Sequence, residues 1–174
     1  MKATDLLARQ HKKAKATFKK LEKGHGDGAL LTELANELAA HMAIEHELFY
    51  PTVVALDEDM IGESFEEHAL GELALKRLLA SSLEAEDFQA KVTAVKELIE
   101  HHADEEEEDL FPKVEKAMDD AQLKELGKVM QERFTELVEA GWEQVYARGT
   151  NATKTLADGA RQRLQRSRSR KRAA

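Results

Sequence analysis

The chain has no cysteine and only two prolines in 174 residues. Without cysteine there is neither a disulfide framework nor a thiolate metal site. With so few prolines, long stretches are free to remain helical, and the abundant Ala, Leu, Glu and Lys are strong helix formers. β-hairpin chemistry is missing: Asp27-Gly28 falls between helical stretches rather than between alternating apolar runs. No apolar run reaches 18 residues, and Met1 to Asp5 does not open a secretory signal. The expectation is a cytoplasmic, all-α protein, long enough to bury a sizeable core without staples.

Charge is present but unevenly placed. The net charge is −8, yet from Arg148 to Ala174 nine Lys or Arg stand against one acid. An acidic body therefore carries a basic tail, which contains no aromatic residue for base stacking. Such a tail attracts nucleic acid or an anionic surface by counterion release; its plainer role is a disordered extension.

Five helices are expected. The first starts at Thr4 or Asp5 and runs to Lys23, stopped by the glycine-rich turn Gly24 to Gly28. The second covers Ala29 to Tyr50, with Pro51 kinking or ending it, and the third Ile61 to Ala80, after the acidic turn Asp57-Glu58-Asp59. A fourth spans Phe88 to Phe111 ahead of Pro112, and a fifth, capped by Asp119 or Asp120, extends to Gly141. The architecture is an antiparallel up-down-up-down four-helix bundle with an additional C-terminal helix and a basic tail. The expected division is 1–118 for the bundle, 119–147 for the extra helix, and 148–174 for the tail. Leu126, Met130, Phe134, Leu137 and Trp142 either close the bundle or form a dimer contact.

The inward stripes carry the chemistry. They read Leu7, His11, Ala14, Phe18, Leu21; Leu34, Leu38, His41, Glu45, Leu48; Phe65, His68, Glu72, Leu75, Leu79; and Val92, Val95, Ile99, His102, Glu106, Leu110. Steps alternate between three and four residues, the spacing of a helix face turned to a core, except the last step to Leu110. Each stripe is interrupted by histidine, and three by a glutamate four residues later. The glycine turn lies midway between His11 and the His41/Glu45 pair, the Asp57 turn midway to His68/Glu72, and the connection ending at Asp87 midway to His102/Glu106. Antiparallel packing thus brings seven polar groups to one depth.

A single histidine on an apolar face is ordinarily a hydrogen-bonded core residue. Seven ionisable groups in one layer are another matter, because an unpaired buried charge costs several kcal/mol, a large part of the roughly 5–15 kcal/mol that holds a fold together. No lysine or arginine lies on these stripes. Multivalent cations would supply the missing charge; imidazole with carboxylate suits iron, manganese or zinc. Four histidines and three carboxylates exceed the needs of one tetrahedral zinc, so two metals sharing carboxylates are expected. His102, after Leu98 and Ile99, is favoured over His101, which sits among Glu97, Asp104, Glu105 and Glu108. His46 is expected to face solvent, His25 to belong to the turn, and Tyr50 to be core.

The ordered set His11, His41-Met42-Ala43-Ile44-Glu45 with Phe49-Tyr50-Pro51, His68, and His102-Ala103-Asp104-Glu105-Glu106 with Phe111-Pro112 resembles the hemerythrin family, specifically its HHE cation-binding branch. The resemblance covers about residues 3 to 118. It implies that His11 and His41 hold one iron, that His68, Glu72 and His102 hold the other, and that Glu45 and Glu106 bridge them with an oxo or hydroxo group. An open position on the first iron would take O2, peroxide or nitric oxide. The oxygen-carrying members place a histidine where Glu72 stands and an aspartate spaced by five where Glu106 is spaced by four, so a ferric-favouring site is implied rather than reversible oxygen carriage. A ferritin-like site requires Glu-x-x-His on two helices; here that spacing occurs only at Glu22/His25, in a turn. The function expected is sensing or scavenging, with catalase- or peroxidase-like turnover as its enzymatic form. The alternatives are an iron-binding module without turnover, and a nucleic-acid-associated protein acting through its tail.

Overall fold

A computed structural model describes residues 1–24 and 27–147. The tail 148–174 and His25, on which expectations were also placed, lie outside the described residues. What is described is helical, with no strand. Helices α1 (Ala3–Glu22), α2 (Gly28–Ile44), α3 (Tyr50–Val53), α4 (Glu58–Leu79), α5 (Phe88–Glu105), α6 (Phe111–Ala117) and α7 (Asp120–Ala140) follow one another, and residues 142–147 are helical again.

Local chemistry sets most boundaries. The Asp27 side chain accepts the Leu30 N–H at 2.8 Å and starts α2. Asp57 likewise accepts the Met60 N–H, so α4 begins at Glu58, three residues before the expected Ile61. Glu58 and Asp59 then sit in the first turn, where negative charge suits the helix dipole. Asp119 and Gln122 form a reciprocal capping box ahead of α7, and Gly141, at φ +86°, ends it. At the N-terminus α1 starts at Ala3 rather than at a Thr4 or Asp5 cap. Thr4 is buried and donates to Glu115 at 2.7 Å, while Asp5 accepts the Lys2 N–H from inside the first turn.

The expected second and fourth helices are each interrupted by a π-helical turn, Glu45–Phe49 and Glu106–Leu110. In each, the residue that closes the turn, Tyr50 or Phe111, bonds five residues back to the carbonyl of Glu45 or Glu106. Such a turn inserts one residue and rotates everything after it. The buried positions beyond Glu45 are therefore Phe49, Tyr50 and Val53, not Leu48, which is only half-buried. Beyond Glu106 they are Leu110, Phe111 and Val114, while Asp109 and Lys113 face solvent. Pro51 and Pro112 follow directly, where the broken hydrogen-bond register tolerates their missing N–H.

Helices α1, α2, α4 and α5 form a closed ring in which each packs on two neighbours. Cross-contacts run antiparallel: along α1 and α5, Thr4 meets Glu115, His11 meets Glu107, Lys15 meets Asp104 and Glu22 meets Lys96. Apolar layers close both ends, with Phe18, Leu21 and Leu78 on one side of the polar layer and Phe49, Leu110 and Val114 on the other. Helix α7 lies against α1 and α2 through Leu123, Gly127, Met130 and Leu137. Its apolar stripe thus covers the bundle within the chain.

Gly127 marks the tightest point of that contact. A Cβ there would come within 2.5 Å of the Met1 carbonyl oxygen and 2.8 Å of the Ala3 nitrogen, both backbone atoms that cannot step aside. Gly62 on α4 faces open space. Gly127→Ala should therefore destabilise by about 1–3 kcal/mol, as overpacking does, whereas Gly62→Ala should stabilise by about 0.5–1 kcal/mol through helix propensity. Urea-unfolding midpoints of the two variants check the pair.

Candidate metal centre

Six of the seven expected residues meet at the centre of the ring. His11, His41, Glu45, His68, His102 and Glu106 are all buried, the two glutamates completely. His11 Nε2 lies 3.1 Å from His41 Nε2, and His68 Nε2 lies 2.8 Å from His102 Nε2. Between the two pairs sit the carboxylates. Glu45 places Oε1 3.2 Å from His41 and Oε2 3.4 Å from His68; Glu106 Oε2 is 3.5 Å from His11 and 3.8 Å from His102.

Every Nδ1 of these histidines is held from outside. His11 Nδ1 donates to Glu107 at 2.9 Å, His41 Nδ1 to the Gln10 side-chain oxygen at 2.8 Å, and His102 Nδ1 to Glu67 at 2.7 Å; His68 Nδ1 meets His46 Nε2 at 2.8 Å. Outward donation by Nδ1 of His11, His41 and His102 turns each Nε2 toward the centre, where a neutral ring presents a lone pair. Nε2 thus opposes Nε2 within each histidine pair. Among the described residues neither Glu45 oxygen has a hydrogen-bond partner, nor does Glu106 Oε2. Donor atoms about 2.0–2.2 Å from a common ion stand about 3–3.5 Å apart, close to the separations seen here. The donor set fits cations, as two overlapping groups: His11, His41, Glu45 and Glu106, and Glu45, His68 and His102.

Electrostatics agree. Burial, with His11 and His102 nearby, holds the His41 imidazole well below its ordinary range; burial and His102 do the same to His68. Both are neutral and available to ligate. Burial and the neighbouring Glu106 push the Glu45 carboxyl well up. For His102 burial works downward, but the bonds and charges of Glu67 and Glu106 leave it raised on balance. Burial, followed by Glu106 and Glu45, raises the Tyr50 phenol, which keeps its proton and donates to Glu106 Oε1 at 2.9 Å.

Glu72 does not join them. It sits half-buried on uninterrupted α helix and pairs with Lys76 one turn on, a partner that the inward stripe did not reveal. The two glutamates that do turn inward each open a π turn. Tyr50, expected to be simple core, touches the centre: its hydroxyl is 3.5 Å from His68 Nε2 and 3.4 Å from His102 Nε2. His46 is not solvent-facing. It is packed against Phe65 and His68, and burial with His102 nearby lowers it to about 4. His101 is exposed, as expected from its acidic surroundings.

The outer partners Gln10, His46, Glu67 and Glu107 were missed as a set, yet they obey one rule. Each is the immediate sequence neighbour of an inward residue and holds a histidine of an adjacent helix. One residue along a helix is a rotation of about 100°, which places such neighbours on the flanks between helices.

A cavity of about 250 Å³ leads in from exposed Arg9 and Lys13 to all four histidines, with Phe134 of α7 forming part of its wall. Small molecules thus have a route to the layer between α1, α2 and α7.

Comparison with known proteins agrees with the fold and the donor set. The family model of the hemerythrin HHE cation binding domain matches residues 2–114. The Rv2633c protein of Mycobacterium tuberculosis (strain ATCC 25618 / H37Rv) and the Mb2666c protein of Mycobacterium bovis are each 30% identical over 145 residues, covering 79% of this chain and 88% of the relative. A crystal structure of a hemerythrin HHE cation binding domain-containing protein, the Rv2633c homolog from Mycobacterium kansasii, superposes with a TM-score of 0.71 at 28% identity, covering 87% of this chain and 96% of that one. The chain belongs to the hemerythrin HHE cation-binding family. None of the described helices is long and apolar enough to cross a membrane.

The titrations predict an optimum for the metal-free chain. Below pH 6.5, His41, His46 and His68 take up protons only on unfolding, so stability falls as pH drops. Above pH 4.5 the raised Glu45 opposes them, as one group against three. Above pH 6.5 the raised His102 still holds in the native state a proton that the unfolded chain loses, so its contribution falls as pH rises, and the raised Glu45 acts in the same direction. Urea midpoints should therefore peak near pH 6.5. His46→Gln should flatten the acid limb; a steady rise through pH 8 would contradict the assignment.

Proposed function

We propose that this is a non-haem diiron protein that binds and reacts with a small oxidant of the O2, peroxide or nitric oxide class. His11 and His41 would hold one iron, His68 and His102 the other, with Glu45 and Glu106 shared between them. The observation that supports this most is the convergence of four Nε2 atoms and the unpartnered carboxylate oxygens, with all four rings oriented from behind. Two carboxylates shared between two histidine pairs suit two hard-to-borderline cations better than one, and the absence of thiolate is in keeping with iron.

When bound, a pair of irons supplies electrons and open coordination positions. The chain supplies the rest. Without Glu72, the His68–His102 side has no donor beyond the shared carboxylates, so an open position would be available there as well as beside His11. Tyr50 holds a proton within reach of that side and fixes Glu106. Phe49, Phe111 and Tyr50 keep bulk water away, so access runs through the cavity from Arg9 and Lys13. The ferric preference argued from Glu72 does not carry over, since that carboxylate is engaged by Lys76.

Purified in air, the chain should carry two irons and show a near-ultraviolet ligand-to-iron charge-transfer band. Glu72→Gln should keep both irons, whereas His41→Ala and Glu45→Ala should each lose at least half of the metal. Oxygen evolution from added peroxide above that of free iron would mark turnover; a storage protein would give none. Equal metal loss in Glu72→Gln and Glu45→Ala, or no iron at all, would overturn the proposal.

A further inference from the structure

A second donor cluster lies on the outer face of α4 and α5, behind the interior layer. Glu67, His101 and Glu105 each offer an atom within 4.8 Å of the others. His101 Nε2 stands 3.4 Å from Glu105 Oε1 and 3.7 Å from Glu67 Oε1. These separations are long for hydrogen bonds but near those of donors arranged about 2.0–2.2 Å around one ion. His101 and Glu105 are one turn apart on α5, and Glu67 comes across from α4, so two helices converge on the point.

Two features distinguish the cluster from ordinary surface acids. First, Glu67 is already committed in geometry. Its Oε2 accepts from His102 Nδ1 at 2.7 Å, which leaves Oε1 turned outward beside His101. A donor fixed in this way loses little freedom on binding. Second, neither Glu67 nor Glu105 has a lysine or arginine within ion-pair distance among the described residues, although lysines pair with carboxylates elsewhere on the surface. An imidazole with two unneutralised carboxylates, all reachable by solvent, suits a divalent transition cation. Three protein donors leave positions for water, which makes the ion exchangeable.

We propose that Glu67, His101 and Glu105 form an outer, exchangeable site for one divalent transition cation, sharing the Glu67 carboxylate with the hydrogen bond that orients His102. The site stands on its own donors and does not depend on the identity of the interior metal.

Zinc is the probe. The full chain, first loaded with iron and desalted, is titrated with Zn2+ by calorimetry, with iron content measured before and after. The wild type should bind one more zinc than His101→Ala, and Glu105→Gln should weaken that event at least tenfold, with iron unchanged in all three. Both substitutions are at solvent-reached positions, and Glu105→Gln preserves shape, so folding is retained. Identical zinc binding in wild type and both variants, or none in the wild type, would overturn the outer site. Failure of the interior reading would show separately, as missing iron before any zinc is added.

Discussion

Nitrogen and oxygen donor atoms crowded together at the centre of the bundle are the constraint to which the other features answer. Four imidazoles present Nε2 inward, two carboxylates lie between them, and the phenol of Tyr50 donates to just one of the oxygens. Apolar layers above and below deny these groups water, and an acceptor without a donor in such surroundings costs about 1–3 kcal/mol, more when charged. Cations relieve that cost most directly. The outer hydrogen bonds to Gln10, His46, Glu67 and Glu107 then act as the frame that keeps the rings from turning over.

Much of this was legible in the sequence, for a geometric reason. Histidines interrupting apolar stripes at matched distances from successive turns have to meet when the helices pack antiparallel, and six of the seven do. Glu72 failed because spacing alone cannot distinguish an inward carboxylate from one drawn aside by Lys76 on its own helix. The π turns failed for a related reason, since a fixed period assumes that the helix never changes register. Their trace was nonetheless present: polar Asp109 and Lys113 stood where a regular helix would bury them, and the step from Glu106 to Leu110 broke the alternation. The orienting residues were invisible as functional groups because each lies beside an inward residue and serves a different helix.

Helix α7 begins beyond the segment matched by the family model, yet it bears on the centre. It packs on α1 and α2 through Gly127 and Met130, and its Phe134 walls the cavity that reaches the histidines. Helices α1, α2, α4 and α5, with the two π turns, thus carry the candidate donors, and α7 shapes the route to them. On the opposite flank Glu67 links the interior to the surface, one oxygen on His102 and the other beside His101.

The central claim is that the interior layer is electrostatically incomplete without cations. The most direct measurement compares urea midpoints at pH 7.5 of the metal-free wild type and a metal-free Glu45→Gln, Glu106→Gln double variant. The account predicts that the double variant is the more stable of the two without metal, because neutral amides of the same shape replace two acids whose ionisation burial penalises, and that only the wild type gains stability on loading with iron. A metal-free wild type as stable as both the variant and its own iron-loaded form would contradict it.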